Sequence, residues 1–132
     1  MRFSILVTAS PQRPGAVTAL RTVQAVCRSS HELYRVFLYG DAVQLANRFA
    51  VCGGSRGSAR QSAQQQWQAW VTDAAVPVRV CVGAALRRGV ADELEARRAG
   101  LDGASLASGF RLSGLGDWVD ALSHSDRVVH FG

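Results

Sequence analysis

Short apolar, β-branched runs alternate along this chain with longer stretches whose apolar residues recur every three or four positions. The first pattern is that of strands and the second that of helix faces. Phe3 to Val7 is broken only by Ser4, which suits a strand of a parallel sheet covered on both sides. Pro11-Gln12-Arg13-Pro14-Gly15 ends it. From there Ala16, Leu20, Val23 and Cys27, with Ala19 and Val26 beside them, trace one helix face, which assigns Cys27 to core packing. A second strand is expected over Leu33 to Tyr39, closed by Gly40-Asp41, with a short helix from Ala42 to Asn47. Trp67, Trp70, Val71 and Ala74 mark another helix face, an aromatic stripe expected in the core or at a subunit interface.

The run Val76 to Val82 predicts the third strand, followed by a helical stretch around Ala84 to Ala99 that Gly89 interrupts. In the latter, Asp92, Glu93 and Glu95 precede Arg97 and Arg98, the charge order of a solvated helix. Gly109 to Trp118 reads as turn-rich, Asp117 to Ser123 as helical, and Arg127 to Phe131 as the last strand. Strands alternating with helices predict an α/β fold. The expected architecture is a single domain over residues 1–132, with an open, mostly parallel sheet and helices on both faces, as in Rossmann and flavodoxin-like layering.

Composition narrows the chemistry. At 132 residues and 48% hydrophobic, the chain can bury one core without staples. Its formal charge of +5 comes entirely from arginine, for there is no lysine, and this excludes a Walker A loop, a Schiff-base lysine and a lysine general base. The net positive charge would attract polyanions or acidic partners, and arginines without interleaved aromatics argue against direct nucleic-acid binding. Cys52-Gly53-Gly54-Ser55-Arg56-Gly57-Ser58 lacks the GxGxxG register of a phosphate cradle and reads as a mobile loop. The three cysteines, Cys27, Cys52 and Cys81, have neither CxxC spacing nor clustered histidines, which argues against a disulfide scaffold and a zinc site. The apolar run in Met1 to Thr8 is too short for a signal peptide, and no later run approaches the ~20 residues of a membrane span. A cytoplasmic protein is expected.

Cys81 is the candidate for chemistry. It ends the third strand and is followed at once by a turn into a helix, where ligands and reacting groups gather in α/β proteins. A helix start and nearby guanidinium groups favour thiolate over thiol. The alternative is a small buried hydrophobe, the commonest fate of a free cysteine. His31, His124 and His130 fall near element ends and form no ligand set in the sequence.

Four segments together resemble the DsrE-like sulfurtransferase family. They are Met1 to Thr8, Val80-Cys81-Val82-Gly83-Ala84-Ala85-Leu86-Arg87-Arg88-Gly89-Val90, Gly109-Phe110-Arg111-Leu112-Ser113-Gly114-Leu115-Gly116, and Asp126 to Phe131. The resemblance runs end to end and is poorest between Cys52 and Gln66. It implies that Cys81 receives sulfane sulfur as a persulfide and passes it on, for 2-thiolation of the tRNA wobble uridine. It further implies TusB- and TusC-like sister subunits in a heterohexamer, a TusA-like donor, a TusE-like acceptor, and no metal or organic cofactor. Arg87 and Arg88 either stabilise the thiolate or persulfide, or face solvent or a partner. The rival readings are a DsrE-like subunit of oxidative sulfur metabolism, and a non-catalytic structural or RNA-binding subunit.

Overall fold

The computed structural model describes residues 1–53, 61–74 and 76–132, with no account of the side chains at 51–53. Cys52 and the loop that follows it, read above as mobile, thus lie outside the described side chains. Five strands form one sheet: β1 (Arg2–Val7), β2 (Glu32–Leu38), β3 (Val78–Cys81), β4 (Phe110–Ser113) and β5 (Arg127–Phe131). Their order is β4-β3-β2-β1-β5, and all four pairings are parallel. The parallel sheet expected from the unbroken apolar runs is therefore present, with Ile5, Val7, Val36, Phe37, Leu38, Val78 and Val80 fully enclosed. Ser4, the polar exception in β1, is also enclosed and meets Ser125 through its hydroxyl at 2.6 Å.

The helices are α1 (Pro14–Arg28), α2 (Ala63–Asp73), α3 (Val82–Arg87), α4 (Glu93–Arg98) and α5 (Gly116–His124). The crossovers from β1 to β4 all step in one direction across the sheet, whereas β4 to β5 steps back. Right-handed connections then place α1, α2 and α3 on one face and α5 alone on the other. Alternation along β2 agrees: Arg35 Nη2 donates to Asp120 of α5 at 3.0 Å, and the Phe37 ring lies 5.9 Å from that of Trp118. The opposite face is tied together by Trp67, fully buried, whose indole N–H donates to the Ala16 carbonyl at 2.8 Å. Trp67 is thus core rather than interface.

Several elements differ from the sequence expectation. Phe110–Ser113, inside the segment read as turn-rich, is a strand on the edge of the sheet. Only Phe110 is buried there, so a four-residue edge strand leaves almost no alternation to read. It is entered through Gly109 at φ +88, where a Cβ would run into Val71 Cγ1 of α2. The stretch Ala84 to Ala99 is by contrast interrupted at Gly89 as expected, forming two helices, α3 and α4, parted where Gly89 takes φ +77. The Ala42 to Asn47 helix is a 3₁₀ helix, Gly40–Ala46, followed by a second, Arg48–Gly53. Ser62, in the region of poorest family match, caps α2 in a reciprocal box with Gln65. Cys27 is exposed rather than packed: its angle on the helix wheel is right, but it sits in the last turn of α1, beyond the covering core. The residual packing there still raises its thiol pKa, with Arg28 acting in the opposite direction.

Candidate functional site

Cys81 occupies the last position of β3 and the N-cap position of α3, and it is 4% exposed. Its face of the sheet follows from the register. Phe37, which faces α5, is the Cα partner of Arg79, and Arg79 reaches Asp117 in the first turn of α5 at 3.8 Å. Cys81 lies two residues further along the strand and so points to the same side. Across the ladder, Arg79 pairs with Arg111 and Cys81 with Ser113, which brings Ser113 beside the cysteine on that face. The Ser113 hydroxyl is buried and has no hydrogen-bond partner, and the same is true of Arg79 Nε. In the sequence, Ser113 stands out only as part of the Gly109–Gly116 segment. The signal was there in the Ser-Gly-Leu-Gly segment, but its pairing with Cys81 depends on a strand that the turn-rich composition hid.

The two arginines after Cys81 separate. Arg87 is exposed and folds back over the turn, since a Cβ on Gly83 would stand 3.6 Å from its Nη2. Arg88 turns away: its Nε pairs with Asp41 at 3.0 Å and its Nη1 donates to the Ala84 carbonyl at 3.1 Å. There it helps line a polar cleft of ≈ 830 Å³ with Ser10, Gln12, Asp41, Gln44 and Gln64, a cleft that Cys81 does not line. Arg87, Arg79 and Arg111 are therefore the arginines nearest the cysteine in sequence or register, and Arg88 belongs to another surface.

Folding brings no histidine to Cys81. His130 lies on β5, three strands away and so about 14 Å across the sheet, and its Nε2 is 2.7 Å from the Thr8 hydroxyl. His31 precedes β2, at the opposite end of the sheet, and meets the N-terminal amine at 3.1 Å. His124 ends α5 and pairs with Asp120 at 3.1 Å. That carboxylate also accepts from Tyr34 at 2.8 Å and from Arg35, and the Tyr34 hydrogen bond is the main cause of its lowered pKa. Reciprocally, Asp120 raises the Tyr34 pKa. This half-exposed cluster fastens α5 to β2 at the end remote from the cysteine. Among the described residues, no three His, Cys, Asp or Glu side chains converge as metal ligands do, and no helix is long and apolar enough to cross a membrane.

The α5 side carries part of the exposed apolar surface. Trp70 and Trp118 are partly buried against the core, whereas Leu115, Val119 and Leu122 are each more than half exposed. Their spacing of four and three residues puts them on one helical stripe. Val128 of β5 is 41% exposed.

Residues 1–131 match the model of the DsrE/DsrF-like family. The chain is 45% identical to "Sulfurtransferase TusD" of Enterobacter sp. (strain 638), over 99% of its own length and all of that protein. It is 42% identical, with the same coverage, to the proteins of that name from Cronobacter sakazakii (strain ATCC BAA-894) and Salmonella newport (strain SL254). Among solved structures, the crystal structure of the ychN protein from E. coli superposes with a TM-score of 0.69 at 24% identity, covering 99% of this chain and all of that one. That likeness is one of fold.

Proposed function

The chain belongs to the DsrE/DsrF-like family, and from that premise we propose that it is a sulfurtransferase subunit of a sulfur relay in which Cys81 carries the sulfur. One observation carries the reading. Cys81 ends an inner strand of a fully parallel sheet, beside buried polar groups without partners, in a chain 42–45% identical over its length to proteins called sulfurtransferase TusD.

In loading, the Cys81 thiolate attacks the outer sulfur of a donor persulfide, R–S–SH. A new S–S bond forms to Cys81, the donor's S–S bond breaks, and R–S⁻ departs with the electron pair. Cys81 then bears –S–SH. In unloading, an acceptor thiolate attacks that outer sulfur and releases the Cys81 thiolate. The sulfane sulfur keeps its oxidation state throughout, so the exchange needs no metal or organic cofactor. Burial of Cys81 limits oxidation of the persulfide by solvent oxidants.

The relay that fits the relatives' name runs from a TusA-like donor to a TusE-like acceptor and serves 2-thiolation of the tRNA wobble uridine. TusB- and TusC-like sister subunits would cover the Leu115, Val119 and Leu122 stripe, because a single helix protects that face of the sheet and leaves the stripe open. The test is mass spectrometry after exposure to a persulfide donor. One added sulfur is expected on Cys81 of the wild type and none at that level in Cys81→Ser. Equal loading of the variant, on Cys27 or Cys52, would overturn the assignment.

A further inference from the structure

We infer that Ser113, with Arg79 beside it, forms a hydrogen-bonding seat for the outer sulfur of the Cys81 persulfide. The inference rests on the sulfur-carrying role proposed for Cys81. A buried hydroxyl without a partner is rare in a folded protein and calls for a reason. Three buried polar groups without a partner occur among the described residues, Arg35 Nε, Arg79 Nε and Ser113 Oγ. The Arg35 guanidinium is already held to Asp120 through Nη2, and the other two lie on one face of the β3–β4 ladder, with Ser113 at its end. Ser113 is the Cα partner of Cys81 across adjacent strands about 4.8 Å apart, and Arg79 precedes Cys81 by two residues on the same strand. Both side chains carry donors, and neither donor finds an acceptor within hydrogen-bonding geometry. Arg79 Nε stands 3.8 Å from Asp117, too far for a hydrogen bond.

The thiol form of Cys81 leaves the Ser113 hydroxyl without a partner. A persulfide differs in one respect that matters: its outer sulfur lies about 2.05 Å beyond Sγ. That extension brings a negatively charged acceptor toward donors that the shorter thiol does not satisfy. Once the persulfide has lost its proton to water, its terminal S⁻ accepts from the Ser113 O–H and the Arg79 Nε–H. The seat is therefore matched to the loaded state. It holds the sulfur against loss until an acceptor arrives, and it leaves attack by the Cys81 thiolate on the donor to the cysteine itself.

The experiment uses the full chain loaded with inorganic polysulfide, in wild type, Ser113→Ala and Ser113→Thr. Loading at Cys81 is mapped by mass spectrometry, sulfane loss is timed by cyanolysis, and the near-ultraviolet band of the persulfide anion is recorded. Ser113→Ala is expected to load at Cys81 yet lose its sulfur on the order of tenfold faster, the effect of one hydrogen bond to a charged group. Its anion band should weaken, and Ser113→Thr should restore both. Thermal stability should be unchanged or slightly raised, since the lost hydroxyl has no partner in the unloaded protein. An unaltered loss rate and band in Ser113→Ala would overturn the seat while leaving Cys81 as carrier. Absence of loading at Cys81 in the wild type would instead overturn the carrier role and the seat with it. Should Ser113→Ala fail to fold, Arg79→Met serves the same comparison, with faster loss expected and an unchanged rate refuting the inference.

Discussion

Replacing Gly109 by alanine tests what fixes β4, and through β4 the placement of Ser113 beside Cys81. Gly109 has φ +88, and the new Cβ would run into Val71 Cγ1 and stand 3.1 Å from the Val71 carbonyl oxygen. Two costs add. Left-handed backbone costs a residue with a Cβ about 1–2 kcal/mol. Forcing a methyl group into packed surroundings costs about 1–3 kcal/mol more, because Val71 is 3% exposed, β-branched and fixed in α2. The expected loss is about 2–5 kcal/mol, read as a lower urea midpoint at constant slope. Gly89→Ala is the control. Gly89 has φ +77 but nothing within 4 Å of its Cβ position, so only the backbone cost of about 1–2 kcal/mol applies. In the double variant Val71→Ala/Gly109→Ala the nearest clash disappears, and the two changes should couple favourably by about 1 kcal/mol or more. If Gly109→Ala and Gly89→Ala lost equal stability, and the double variant were strictly additive, close approach to α2 would not be what holds β4 in register.

The Asp120 cluster predicts a pH dependence. Its folded pKa lies below the ordinary carboxylate value, so the stability it contributes is complete above about pH 4 and is lost as pH falls through the folded value. Asp120→Asn should therefore flatten the acid limb of a denaturation-midpoint profile, and parallel wild-type and variant profiles would contradict the linkage. Tyr34, whose pKa is raised, contributes on the other side: its share is complete below about pH 10 and lost as pH rises through its folded value, so Tyr34→Phe should flatten the alkaline limb. On α5, Val119→Glu should abolish the association proposed above with TusB- and TusC-like subunits, measured by size-exclusion chromatography. Its effect on the monomer's thermal midpoint should be small, because the side chain is 59% exposed. Association at wild-type strength would place the interface elsewhere.

Local periodicity was enough to find β1, β2, β3 and β5, the helices α1, α2 and α5, and the break at Gly89, because each rests on contacts or dihedral needs within a few residues. It also set Cys81 at the end of a strand and start of a helix, where the structure has it. Pairing between strands is another matter, since residues far apart in sequence become neighbours only when the crossovers fix strand order. Tertiary structure alone therefore made Phe110–Ser113 an edge strand and set Ser113 opposite Cys81. It divided Arg87 from Arg88, because Asp41, 47 residues away, claims the second guanidinium. It exposed Cys27, since a helical wheel gives the angle of a residue but not the length of the core beneath it. The lone position of α5 follows from the one crossover that reverses direction, and a reversal of strand order leaves no mark on the periodicity of any single segment.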